Sequence, residues 1–336
     1  MSTPRIPLNL FAIPFGLAGL AGSWLIVTHY GHAPVAIGDG LLALSALTWL
    51  VVLISYARYV SSQPSVFARD LTDAMAGPFA SLAVITPMIL AAEGIYPHGA
   101  GTGRLLLDVF LVLTVLLGAW FTGQWIYGPL EVDQFHPGYF LPTVAGGLIA
   151  SAGAAEVGQR RLAEIMLGLG ALCWAALGSI ILGRLLFRPL LPKPLLPTLA
   201  IEIAPAAVGS LAYFALNGDH VDAVAAIVGG YGLLMVLAQL RLLPLYISLP
   251  FAAGTWAFAF SWAAVATTGL HWLNDQQPSG YRIYEYVLLG AITTLVGGIA
   301  VRTIVAVARR QLLPAGAVVA RSTVQPEPAP IDRSRA

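Results

Sequence analysis

Long apolar runs separated by short polar ones recur along the whole chain. They lie near 10–28, 37–57, 74–95, 105–126, 139–155, 163–186, 197–217, 221–240, 244–269 and 284–307. Each approaches the roughly 20 mostly apolar residues that carry a helix across a bilayer, so ten membrane helices are predicted. The longest polar links, near 58–73 and 127–138, are too short to fold alone. Prolines divide the runs into two classes. Pro14, Pro78, Pro142 and Pro205, spaced 64, 64 and 63 residues apart, fall in odd-numbered runs, while the even-numbered runs carry none. A proline inside a helix deletes a backbone hydrogen bond and bends the rod. In lipid that defect survives only where protein or water satisfies the freed carbonyl. The alternation therefore predicts an internal repeat of five hairpins, each a proline-bearing interior helix followed by a straight peripheral one. A ring of bent helices of this kind would enclose a passage. The last hairpin departs from the period, because Pro250 follows Pro205 by 45 residues.

Composition fixes the class. Of 336 residues 58% are hydrophobic and 10% charged, and the mean hydropathy is +0.80. A soluble domain carries roughly a quarter charged residues, so this is a polytopic integral membrane protein. The first run lacks a basic leader and contains Pro14, so it is expected to stay as a helix, not to be cleaved as a signal. Positive charge is lopsided. With the N-terminus inside, Arg5, Arg58, Arg69, Arg184, Arg188, Lys193, Arg241, Arg302 and the arginines beyond it are cytoplasmic, against Arg104, Arg160, Arg161 and Arg282 outside. Both termini are thus expected in the cytoplasm. The domain division follows: a cytoplasmic segment 1–9, a ten-helix transport domain 10–308, and a tail 309–336. The tail's proline-rich stretch from Gln325 to Pro330 predicts disorder. A net charge of +1 indicates no partner, nucleic acid included, and the single Cys173 excludes a disulfide within the chain.

The odd runs are also rich in small residues, which either let helices pack closely or leave room along an axis. On the second reading Pro14, Gly16, Pro87, Pro142, Pro205, Gly209 and Gly254 are candidate pore-lining or kink positions. Pro142 and Pro14 could simply start helices, whereas Pro87 and Pro205 are the better candidates for real bends. Glu202, about six residues into the seventh run and so roughly 9 Å deep, is the candidate proton or ion site. Arg104 and Asp108, four apart, are expected to pair; Asp39, Glu93, Glu156 and Asp222 read as interfacial. No arginine or lysine occupies the middle of an odd run, so an anion would meet only helix-end dipoles and exposed backbone N–H groups. Such weak binding suits conduction. The six histidines lack metal-ligand spacing. No phosphate-binding glycine loop or catalytic triad is visible, so neither cofactor, ATP-driven pumping nor enzymatic activity is expected.

The ninth run contains Gly254-Thr-Trp-Ala-Phe-Ala-Phe-Ser261, in which Trp256 and Phe260 share a helix face. This segment resembles the ninth-helix motif of the tellurite-resistance/dicarboxylate transporter family. The family includes bacterial tellurite-resistance channels, fungal malate and sulfite transporters, and plant guard-cell slow anion channels. Phe11-Ala-Ile-Pro-Phe-Gly-Leu-Ala-Gly-Leu, Gly77-Pro-Phe-Ala-Ser81 and Pro137-Gly-Tyr-Phe-Leu-Pro-Thr-Val144 add to the resemblance, which covers about residues 7–310. It implies five hairpins in a quasi-fivefold ring around a central pore, odd helices inside and even ones outside. It also implies a homotrimer with one pore per protomer and a phenylalanine plug, here Phe260. A proline that follows the gate in plant members is Ser261 here, and their long regulatory termini are missing. The function implied is a gated, passive pathway for small anions (halide, nitrate, sulfite, tellurite or C4-dicarboxylate) across the cytoplasmic membrane. The alternative is a proton-coupled dicarboxylate or sulfite carrier.

Overall fold

A computed structural model describes residues 5–313; the tail expected to be disordered lies, from residue 314 on, outside the described residues. Among the described residues every regular element is helical. Nine helices are long and apolar enough to cross a membrane: α1 (Leu8–His29), α2 (Val35–Ser62), α3 (Gly77–Ile95), α4 (Ala100–Tyr127), α5 (Pro137–Glu156), α6 (Arg160–Phe187), α7 (Lys193–Asn217), α8 (Ala223–Arg241) and α10 (Tyr281–Ala308). Between the last two lies α9 (Ala257–Gln276), extended at its start by a 3-10 turn over Ala253–Trp256. It is the least apolar of the long helices because it carries Thr267, Thr268, His271, Asn274 and Asp275.

The ninth run was expected to be helical from 244. Instead Leu243–Ile247 forms a separate short helix, and Pro250 sits in the link that precedes α9. A proline cannot donate to the ladder and disfavours helix in the residue before it, so the chain restarts beyond it.

Burial separates two classes of helix. In α1, α3, α5 and α7 between 67% and 83% of the apolar core window is inside the protein; in α2, α4, α6, α8 and α10 it is 17–28%. The second group turns Leu47, Leu116, Leu172 and Leu234 outward, as a lipid-facing surface requires. Each buried helix packs against the exposed one that follows it. Among the buried helices α1 touches α3, α3 touches α5, α5 touches α7, α7 touches α9, and α9 returns to α1.

All five buried helices begin with 3-10 geometry, over Leu8–Phe11, Gly77–Ser81, Pro137–Phe140, Lys193–Ile203 and Ala253–Trp256. This start is shared by all five, whereas the proline positions vary among them. Pro142 and Pro205 each sit two residues after the 3-10 piece ends, but Pro78 lies inside its own. Each of these prolines stands at or near the start of a helical piece, where it is best tolerated. Pro87 is different, because it stands inside the α-helical part of α3 and is followed by a π-helical turn over Leu90–Ile95. The carbonyl it leaves free, that of Ala83, accepts a hydrogen bond from Trp49 Nε1 of α2 at 2.9 Å. The defect is thus satisfied by the neighbouring peripheral helix.

The links at the N-terminal ends of the buried helices are tightly tied. His136 caps α5, its Nδ1 accepting from the Gly138 N–H at 3.1 Å, and Tyr139 Oη donates to the Ala74 carbonyl at 2.8 Å. The ring is fully buried beside Phe79 and Tyr139, and burial pushes its pKa down to about 4. Because the unfolded chain takes up this proton near pH 6.5 and the fold only near 4, stability is complete above that window and falls as pH drops through it, by roughly 3 kcal/mol at most. His136→Asn keeps a capping acceptor and removes the titration. The wild type is expected to lose more melting temperature than this variant on acidification from neutral pH, and equal losses would remove His136 from the acid response.

Candidate functional site: two cavities divided by an aromatic ring

The centre of the site is the contact between α1 and α9. Gly16 and Gly19 let the helices touch: a Cβ added at Gly16 would lie 2.6 Å from the Ala259 Cβ, and one at Gly19 2.8 Å from Phe260 Cδ2. Hydrogen bonds hold α9 against α1 and against its other neighbours, α10 and α7. Ser23 Oγ and Thr267 Oγ1 are 2.8 Å apart, Trp256 Nε1 donates to Thr303 Oγ1 of α10 at 2.8 Å, and Thr268 Oγ1 donates to the Ala207 carbonyl of α7 at 3.1 Å. Held in this way, Phe260 stacks face to face on Phe15, with ring centroids 3.6 Å apart and planes 16° from parallel. Phe258, two residues earlier, points elsewhere and meets Tyr246 edge-on at 4.8 Å.

Two cavities lie along the buried helices. The first, about 520 Å³ including open solvent, is lined near the helix starts by side chains of all five, among them Phe15, Phe79, Phe140, Pro205 and Trp256, and by no charged group. The second, about 1580 Å³ including open solvent, is lined by the later turns of the same helices. Its charged and titratable walls are Glu93, Glu156, Asp219, His29 and His271, with no arginine or lysine. Phe260 and Val208 border both cavities. The five helices therefore run parallel, and Phe260 borders the spaces at both their ends.

The other residues singled out from the sequence are dispersed. Pro205 lines the first cavity, whereas Pro14, Gly16, Pro87, Pro142, Gly209 and Gly254 line neither. The Pro14 carbonyl accepts from Ser45 Oγ of α2 at 2.7 Å, and Pro87 borders a groove between α2, α3 and α4. The Pro142 carbonyl faces Gly118 of α4, Gly209 lies near Leu148, and Gly254 packs by Pro194 and Pro197. Glu202 is buried with its Oε2 lacking a hydrogen-bond partner, but it too lines neither cavity. Its electrostatic neighbours are Tyr231 and Tyr246, neither of which lines either cavity.

The expected Arg104–Asp108 pair does not form. Arg104 donates to the Val157 carbonyl at 2.7 Å and Asp108 accepts from Gln159 Nε2 at 2.9 Å, so both brace the turn between α5 and α6. Asp222 caps α8 by accepting from the N–H groups of Val224 and Ala225; its carboxyl is held low by the Tyr213 hydroxyl donating to it. Glu93, read from the sequence as interfacial, faces the second cavity. The available signal was that it is the lone carboxylate within the third apolar run, just past Pro87.

Residues 5–304 match the family described as SLAC1, voltage-dependent anion channel. The chain belongs to this family. Membership agrees with the resemblance seen in the ninth-helix motif and makes the protein a multi-pass membrane protein of an anion channel and transporter group. The chain is also similar to the tellurite resistance protein TehA homolog of Haemophilus influenzae (strain ATCC 51907 / DSM 11121 / KW20 / Rd). It is 25% identical over 292 residues, which span 87% of this chain and 88% of that protein.

Proposed function

We propose that the protein is a passive, gated channel for small anions, with Phe260 as the plug. The observation that carries this reading is that the Phe260 ring borders both cavities while fixed between α1 and α9. An apolar ring in a narrow passage excludes hydrated ions by size and by dewetting. The route runs along the axis of α1, α3, α5, α7 and α9, five inner helices in a ring, each paired with an outer one to make ten spans in five hairpins. The closed succession of contacts among the buried helices supports the ring. With both termini cytoplasmic, the first cavity faces inward and the second outward. The N-terminal ends of five helices converge on the inner cavity, and their positive dipole ends favour an anion there without binding it tightly. The walls of both cavities lack arginine and lysine, which suits fast release over capture. Assembly as a homotrimer, each protomer with its own pore, belongs to the same reading.

Purified protein in planar bilayers, with halide, nitrate, sulfite and C4-dicarboxylate exchanged in turn, tests this function. The expected current is ohmic and reverses at the anion equilibrium potential. A current that follows the cation gradient, or one that saturates and moves protons stoichiometrically, would overturn it.

A further inference from the structure

The outer cavity has a wall charge opposite to what anion entry requires. Three carboxylates border it and no fixed cation does. They are not equivalent. Asp219 has His271 Nδ1 at 3.4 Å, and Glu156 is exposed at the end of α5. Glu93 projects from the π-helical turn of α3, and its Oε2 is shut off from solvent without a hydrogen-bond partner.

Its position relative to the plug can be read along α1. A Cβ at Gly19 would touch the Phe260 ring, and one at Gly22 would meet both Glu93 carboxylate oxygens at 3.7 Å. Three residues of helix advance about 4.5 Å. The carboxylate therefore stands less than one turn beyond the aromatic ring, on the same glycine-bearing face of α1.

We infer that Glu93 decides whether anions can reach the plug from outside: ionised, it repels them; protonated, it lets them pass. This rests on the channel reading above. The groups around it do not offset the charge. From α1 the cavity receives His29, from α5 Glu156, and from the end of α7 Asp219 with its His271 partner on α9. On α4, Arg104 and Asp108 are engaged with Val157 and Gln159. Asp39 of α2 borders the groove on another side of α3. A like charge this close, in a narrow low-dielectric passage, acts far more strongly than in water.

The test uses the Phe260→Ala channel in planar bilayers, with the outer solution taken from about pH 8 to about pH 5. Chloride conductance is expected to rise about tenfold on acidification. Adding Glu93→Gln should give the high conductance at both pH values, while Glu156→Gln keeps the pH dependence. A profile unchanged by Glu93→Gln, abolished by Glu156→Gln alone, or flat in Phe260→Ala itself overturns the assignment. Should Phe260→Ala carry no current, the plug reading fails, and infrared difference spectra of the otherwise native protein across the same pH step decide about Glu93. A protonated-carboxyl band that vanishes in Glu93→Gln supports the inference; identical spectra from the two proteins overturn it.

Discussion

Phe260→Ala is expected to raise anion conductance by at least about tenfold while leaving the fold intact. A barrier lowered by about 1.4 kcal/mol already gives that factor, and an apolar constriction that dewets imposes more. Truncating a fully packed phenylalanine costs about 3–5 kcal/mol of stability. Phe260 is only partly enclosed, with a cavity on either side, so its removal should cost less. Its helix is held independently of the ring by the Ser23–Thr267, Trp256–Thr303 and Thr268–Ala207 hydrogen bonds. The helices should therefore not collapse into the vacated space. Conductance per unit of reconstituted protein and melting temperature must be read together. Equal currents from wild type and variant at matched incorporation would end the plug assignment. Phe15→Ala removes the stacking partner, and a smaller rise is expected because the Phe260 ring stays.

The second large effect concerns the fold. Gly170→Val should destabilise the protein by about 3 kcal/mol or more, since overpacking a rigid contact with backbone on the far side leaves nothing to yield. A Cβ at Gly170 would lie 2.9 Å from the Leu148 backbone nitrogen, and one at the facing Gly147 would lie 2.8 Å from the Gly170 nitrogen. The α5–α6 hairpin is thus a backbone-to-backbone contact at this point. Gly168, two residues earlier on α6, faces open space, and Gly168→Val should stay within about 0.5 kcal/mol of wild type. Melting temperatures in one detergent check the pair. Equal effects of the two substitutions would show that helix propensity, not contact, sets the cost.

Periodicity served the sequence reading well where apolar content alone decides the element. Nine of the ten runs coincide with helices long and apolar enough to cross a membrane, because a spanning helix is a matter of length and transfer free energy; the ninth run holds α9, which is long but more polar. The proline-bearing runs coincide with buried helices, although Pro250 lies ahead of α9 and not within it; inside α3 the ladder broken by Pro87 is met by Trp49 at Ala83. The start of α9 was misplaced by several residues, because the apolar content of Leu243–Ile247 concealed the break at Pro250. Spacing also failed for Arg104 and Asp108. Four residues apart permits a pair, but a nearby turn offered each a partner from another helix. Prolines and glycines told which helices are interior without telling which way each residue faces. Only Pro205 among the seven pore candidates borders either of the two central cavities, while Pro87 borders the groove between α2, α3 and α4.

By itself the sequence determined the class, the order of the long helices, their division into buried and exposed, and the motif in which Phe260 stands. All of these depend on local composition and on backbone chemistry carried by single residues. Only the tertiary structure decided what faces what: that Phe260 meets Phe15, that Glu93 stands beside Gly22 in a cavity, and that Glu202 lines neither cavity. Those relations join residues far apart in the chain across helices whose rotation about their own axes is fixed by packing. A run that is apolar on every side carries no record of that rotation.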